Sequence, residues 1–74
     1  MDKGLPEQGV EWYGRALAAP GLPMEMEVGL RYELGRAQEA SGNTSAALAS
    51  FSEVLAINPA FRDVVDRVSK LRSN

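Results

Sequence analysis

The fold is decided by residues 34–59, which read LGRAQEASGNTSAALASFSEVLAINP. A helix ends near Gly42, a residue that readily adopts the left-handed conformation of a helix terminus. Asn43 can then accept backbone N–H groups as the N-cap of a second helix over residues 44–57. Pro59 suits the first position of a following helix, where a missing N–H costs little. The stretch therefore predicts a helical hairpin followed by a further helix.

Helical periodicity continues on both sides of this stretch. Before it, apolar residues recur at helical spacing until Pro20 and Gly21 break the pattern. The helix that follows has a predicted apolar face made of Met26, Leu30, Leu34 and Ala37. The sequence predicts one all-α domain over residues 1–74, with a flexible start at 1–5 and helices at 6–19, 24–41, 44–57 and 59–72. The last helix has a predicted apolar stripe of Val64, Val65, Val68 and Leu71.

Two of the predicted helices are similar to each other. Residues 11–18 align with residues 49–56, which places an aromatic residue on an aromatic residue and a leucine on a leucine. Similarity at a period of about 35 residues is typical of helical repeats, in which each unit buries its apolar face against its neighbours. The chain is therefore predicted to be a short array of helical hairpins.

Five residues carry a resemblance to a known family: Leu34, Gly35, Ala47, Phe51 and Pro59. They stand at the spacing of the tetratricopeptide repeat, which the chain resembles. The resemblance implies antiparallel helices that cross where Gly35 and Ala47 are small, with Phe51 filling the space towards the next helix. The chain departs from the family pattern at Arg31, Gln38 and Val54, where a large apolar residue, tyrosine and alanine are usual.

The resemblance covers one and a half repeats plus a capping helix. Stacked repeats normally need about three units to bury a continuous core, and the first helix lacks its own partner. Either the chain ends a longer array, or a second copy covers the first helix in a homodimer. Trp12 is the predicted self-association residue, because a large aromatic side chain without an intrachain partner is a typical interface anchor.

A binding groove is predicted along the helix at 24–41. In tetratricopeptide-like modules the first helix of each repeat lines a concave groove for an extended peptide or a helix. Tyr32, Arg36 and Glu39 share one helix face, with Tyr32 offering stacking area and Arg36 a partner for a carboxylate. The last helix can add Asp66 and Lys70. The alternatives are an ordinary solvated face in which Arg36 pairs with nearby glutamates, and a last helix that only shields the final repeat.

Composition argues against several function classes. The net charge is −2, with 8 basic residues spread along the chain, so we expect no nucleic-acid partner. No apolar run approaches the roughly 20 residues of a membrane span and no signal peptide is visible, so we expect no membrane insertion and a cytoplasmic location. Histidine and cysteine are absent, and we expect no enzymatic activity, no cofactor and no metal.

The sequence leaves two functions open. The first is a protein–protein interaction module that holds a partner peptide or helix within a scaffold or assembly. The second is a structural unit that caps a longer repeat protein or self-associates. Fold resemblance alone does not separate them, because this architecture serves unrelated partners.

Overall fold

Four α-helices follow one another along the chain, which confirms the predicted all-α class. The computed structural model describes residues 5–73, and within that range it contains no β-strand and no helix long and apolar enough to cross a bilayer. The helices are α1 (Leu5–Leu17), α2 (Met24–Ala40), α3 (Thr44–Ile57) and α4 (Val64–Ser73). The predicted flexible start at residues 1–5 lies outside the described residues, apart from Leu5, which begins α1.

The turn between α2 and α3 follows from three adjacent polar or small residues. Gly42 has a φ of 89°, the left-handed conformation predicted for it. Asn43 accepts a hydrogen bond from the backbone N–H of Ala46 at 3.3 Å and so caps α3. The Ser41 hydroxyl donates to the carbonyl of Gln38 at 2.9 Å. Because these bonds satisfy groups that the helix ends leave unpaired, α2 and α3 form a tight hairpin.

The core lies between α2, α3 and α4, with Phe51 fully buried at its centre. Gly35 of α2 lies directly against the Phe51 ring, and a Cβ atom at Gly35 would stand 2.8 Å from the ring carbon Cε1. Glycine therefore allows a helix spacing that a side chain would prevent. The buried apolar residues are Val28, Tyr32, Ala47, Phe51, Val54, Val64, Val68 and Leu71.

The buried side of α2 differs from the predicted one. The helix buries Val28, Tyr32 and Gly35, whereas Met26 is exposed. The other three residues of the predicted face are only half-buried: Leu30, Leu34 and Ala37. The prediction was wrong for Met26, and it missed a second buried side because α2 packs against α1 as well as against α3. Apolar residues therefore lie on more than one side of this helix, and no single stripe marks the core.

Two departures from the repeat pattern connect α2 to α3 through polar contacts. Arg31 forms ion pairs with Glu27 of its own helix, at 2.9 Å, and with Glu53 of α3. The hydroxyl of Ser50, which is buried, donates to the Gln38 side-chain oxygen at 2.6 Å. A polar group at the helix interface is tolerated where it finds a hydrogen-bond partner, so both departures fit the hairpin.

α4 begins at Val64, five residues later than the predicted start at Pro59. The Asn58 side chain accepts from the N–H of Ala60 at 3.1 Å, and the N–H of Phe61 donates to the Asn58 carbonyl at 3.0 Å. These short-range bonds form a turn instead of helix, and Arg62 then has a φ of 47°. The turn brings Phe61 against the core. The apolar stripe of α4 also differs from the predicted one, because Val65, which was predicted to belong to it, is half-exposed.

The ends of the other helices differ slightly from the predicted bounds. α1 ends at Leu17, because the N–H of Ala19 bonds to the carbonyl of Ala16 at 3.3 Å and tightens the last turn before Pro20. α2 ends at Ala40, and α3 spans the predicted residues 44–57. Helix ends are the positions that sequence patterns define least well.

We expect Gly35→Ala to destabilise the fold by about 1–2 kcal/mol, because the added methyl group displaces the buried Phe51 ring. The matched control is Gly29→Ala in the same helix, where a Cβ meets nothing within 4 Å. That change should stabilise the fold by about 0.5–1 kcal/mol through helix propensity alone. Urea unfolding of the two variants measures the difference. Equal changes in the free energy of unfolding for the two variants would mean that Gly35 does not set the helix spacing.

Candidate functional site

A charged depression of about 180 Å³ lies between α2 and α4. It is lined by Glu39 of α2 and by Asp63, Asp66, Arg67 and Lys70 of the last segment. We call these five residues the α2–α4 groove. Three of the five predicted groove residues belong to it, namely Glu39, Asp66 and Lys70. Asp63 and Arg67 were not predicted.

The spacing along α4 explains why its charged residues share the groove. Asp63, just before α4, is three residues from Asp66 and four from Arg67, and Lys70 is four and three residues beyond them, so all four lie along one side of the helix. The buried residues Val64, Val68 and Leu71 are spaced in the same way on a neighbouring side. Burial of that apolar stripe therefore turns the charged row towards the end of α2 that carries Glu39.

Tyr32, predicted as a stacking surface in the groove, lies in the core instead. Only 3% of its surface is exposed. Its ring packs edge-on against Phe51, with the centroids 5.5 Å apart, and edge-on against Phe61 at 5.3 Å. Such arrangements place ring edges against ring faces and add to the gain from burial. The ring therefore offers no face to a ligand.

The Tyr32 hydroxyl connects the core to the groove. It donates a hydrogen bond to the Asp63 carboxylate, and it accepts one from Nε of Arg67 at 3.0 Å. Arg67 also donates to Asp63 at 3.3 Å and to Glu39 at 3.1 Å. This network joins α2 to α4 and holds two groove carboxylates in place. Because Tyr32, Asp63 and Arg67 each have more than one partner, we expect the contacts to reinforce one another.

The network shifts two pKa values in opposite directions. Burial raises the pKa of the Tyr32 hydroxyl, and its hydrogen bond to Asp63 raises it further. The hydrogen bond from Tyr32 lowers the pKa of Asp63, and the positive charge of Arg67 lowers it as well. At neutral pH the hydroxyl is therefore a proton donor and the carboxylate an acceptor, as the geometry requires.

Arg36, also predicted in the groove, lies outside it. Its guanidinium is 3.6 Å from the Glu33 carboxylate on the same helix. Arg62 reaches Glu33 as well, at 3.4 Å, and lies 5.2 Å from the centre of the Tyr32 ring. Arg36 thus pairs with a nearby glutamate on a solvated face, as the alternative interpretation of the sequence expected.

Two groove charges remain available for other contacts. Asp66 and Lys70 are exposed, and neither forms a salt bridge with another residue in the range 5–73. They are four residues apart on α4, which separates them by about 6 Å along the helix axis. The groove therefore presents one negative and one positive charge beside a fixed network.

The predicted self-association residue and the repeat-signature residues lie elsewhere. Trp12 is on the outer side of α1, where 72% of its surface is exposed. Gly35 lies against Phe51 between α2 and α3 and Ala47 is buried in the same core, whereas Leu34 is half-buried and Pro59 is exposed. The groove and the surface around Trp12 have no residue in common.

We expect Asp63→Asn to destabilise the fold at pH 6, because the charged acceptor of the Tyr32 and Arg67 bonds is lost. The folded pKa of Asp63 is lowered, so its contribution exists above the unfolded value of about 3.9 and is lost as the pH falls through the folded value. In thermal unfolding, the Tm of the Asp63→Asn variant should therefore be lower than that of the natural chain at pH 6. The difference in Tm should disappear well below pH 4.

The control for this pH effect is the same substitution in a Tyr32→Phe background. Without the hydroxyl, Asp63 has lost one of its two partners, so Asp63→Asn should cost less stability there than in the natural chain. The network would be contradicted if Asp63→Asn lowered stability equally in both backgrounds, or if the difference in Tm persisted in strong acid.

Comparisons with protein-family models, with curated proteins and with solved structures find no match to this chain. Among residues 5–73, no group of three or more histidine, cysteine, aspartate or glutamate side chains is arranged to hold a metal ion. The groove provides fixed charges and hydrogen-bond groups, which suit recognition of a polar chain.

Proposed function

We propose that the chain is a non-catalytic, cytoplasmic protein-interaction module that binds an extended segment of a partner protein in the α2–α4 groove. The observation that carries the proposal is the pair of groove charges, Asp66 and Lys70, that have no ion-pair partner among the described residues. They stand beside Glu39, Asp63 and Arg67, which are already fixed by the Tyr32 network. A preformed charged surface of this kind loses little entropy when a partner binds.

The resemblance to the tetratricopeptide repeat supports the same surface. In that family the first helix of a repeat lines the peptide-binding groove, and α2 is the corresponding helix in this chain. α2 contributes Glu39 to the depression, and α4, with Asp63 just before it, contributes the other lining residues. In the proposed complex, α4 therefore binds the partner segment in addition to shielding the end of the core.

The geometry favours an extended partner with charges two residues apart. In an extended chain, residues i and i+2 point to the same side and are separated by about 6.6 Å. This distance is close to the separation of about 6 Å between Asp66 and Lys70 along α4. A basic residue at one position can pair with Asp66 while an acidic residue two positions away pairs with Lys70. The proposed ligand pattern is thus Lys-x-Glu or its reverse.

We expect an extended, threonine-rich peptide with a Lys-x-Glu pattern to bind the groove more tightly than an otherwise identical peptide in which Lys and Glu are adjacent. Adjacent residues of an extended chain point to opposite sides, so only one charge pair can form at a time. Because an exposed ion pair contributes at most about 1 kcal/mol, the difference should be about two- to fivefold in dissociation constant. Amide chemical shifts on titration measure the affinity and should move around Glu39, Asp66 and Lys70.

Two variants test the location of the binding site. Asp66→Ala with Lys70→Ala should remove the preference for Lys-x-Glu, because both pairing charges are absent. Arg36→Ala is the matched control, since Arg36 is an exposed charge of α2 that lies outside the groove. Shift changes that map away from α4, or equal affinity for both peptides, would overturn the proposed site.

A further inference from the structure

α1 carries a large apolar side chain on its outer side. Trp12 is the most exposed of the large apolar residues in the described part of the chain, at 72%. The inner side of α1 faces α2, where a Cβ atom at Gly9 would stand 3.4 Å from the Cβ of Ala37. Between Gln8 and Leu17 no residue of α1 is fully buried. The helix therefore has one covered side and one open side.

The open side of α1 has both a projection and recesses. The Trp12 ring borders two shallow hollows, one of about 260 Å³ lined by Gln8, Gly9 and Tyr13, and one of about 400 Å³ lined by Arg15 and Ala16. Gly9 lies at the border between the covered and the open side, and Ala16 is small, which leaves room beside the indole. A surface that contains a projection next to recesses can pack against its own copy, because a two-fold axis places the projection of each copy over the other copy's recess.

The charges around Trp12 have the same self-complementary pattern. Glu11 and Arg15 form an exposed ion pair at 2.9 Å, one turn apart on α1. When two α1 helices pair antiparallel about a two-fold axis at the level of residue 13, Glu11 of one copy lies opposite Arg15 of the other. That axis passes about 1.5 Å along the helix from Trp12. A parallel pair would instead bring like charges together.

We propose that a second copy of this chain docks on α1, with the two α1 helices antiparallel and each Trp12 ring seated in a hollow beside the partner's ring. The shape and the charges of this surface are both self-complementary about the same point. An unrelated partner would not require that symmetry, so the occupant is a second copy of the chain. None of the groove residues lies on α1, so this interface is independent of the proposed peptide site.

We expect the chain to pass from monomer to dimer as its concentration rises from micromolar to submillimolar in sedimentation-equilibrium experiments. Trp12→Ala should weaken the dimer by at least about tenfold, because the central aromatic anchor of an interface dominates its energetics. Val65→Ala is the control, since Val65 is a half-exposed apolar residue on α4, away from α1. A monomer at every concentration overturns the proposal, and so does an equal effect of both variants.

Charge reversal tests whether Glu11 and Arg15 lie in the interface. Glu11→Arg alone gives each copy two positive charges, and Arg15→Glu alone gives each copy two negative charges, so both variants should be monomeric. An equimolar mixture of the two should form a one-to-one heterodimer, because opposite charges then meet at both positions. A mixture that remains monomeric, or single variants that dimerise as well as the natural chain, would overturn the interface. Circular dichroism verifies that each variant remains helical.

Discussion

The contact between Gly35 and the Phe51 ring sets the distance between α2 and α3, and the rest of the fold is arranged around it. The absence of a side chain at Gly35 lets the ring lie at the helix crossing, fully buried. Phe51 then supports Tyr32 edge-on at 5.5 Å. Because packed interiors transmit small displacements, a shift of the Phe51 ring would move Tyr32 and with it the groove. Core packing and the candidate site are therefore physically coupled.

The Tyr32 hydroxyl imposes a second constraint, on the position of α4. A hydroxyl left unpaired in the core costs about 1–3 kcal/mol, so a partner has to lie at the end of the ring. Asp63 provides it from the residue just before α4, while Arg67 provides a second contact one turn later. Val64 follows Asp63 directly and is fully buried. One short segment thus satisfies a buried polar group and fills the core, which fixes the register of α4.

Local chemistry made much of the fold predictable from the sequence. The turn at Gly42 and Asn43 and the helix over residues 44–57 depend on neighbouring residues only, and they were predicted correctly. The burial of Tyr32 was missed, because helical spacing places it in line with Val28 and Gly35 as well as with Arg36 and Glu39. The roles of Asp63 and Arg67 depend on contacts 31 and 35 residues away along the chain. No local pattern contains that information.

The two proposed surfaces have a joint consequence that neither has alone. A dimer formed through α1 leaves the lining residues of both grooves free, since none of them belongs to α1. Two weak grooves held in one particle bind a partner with two suitable segments far more tightly than one groove does, by about 10²–10⁴ when the linker spans both sites. A groove that relies on exposed charge pairs is weak by itself. Self-association through Trp12 would therefore supply the affinity that the groove chemistry lacks.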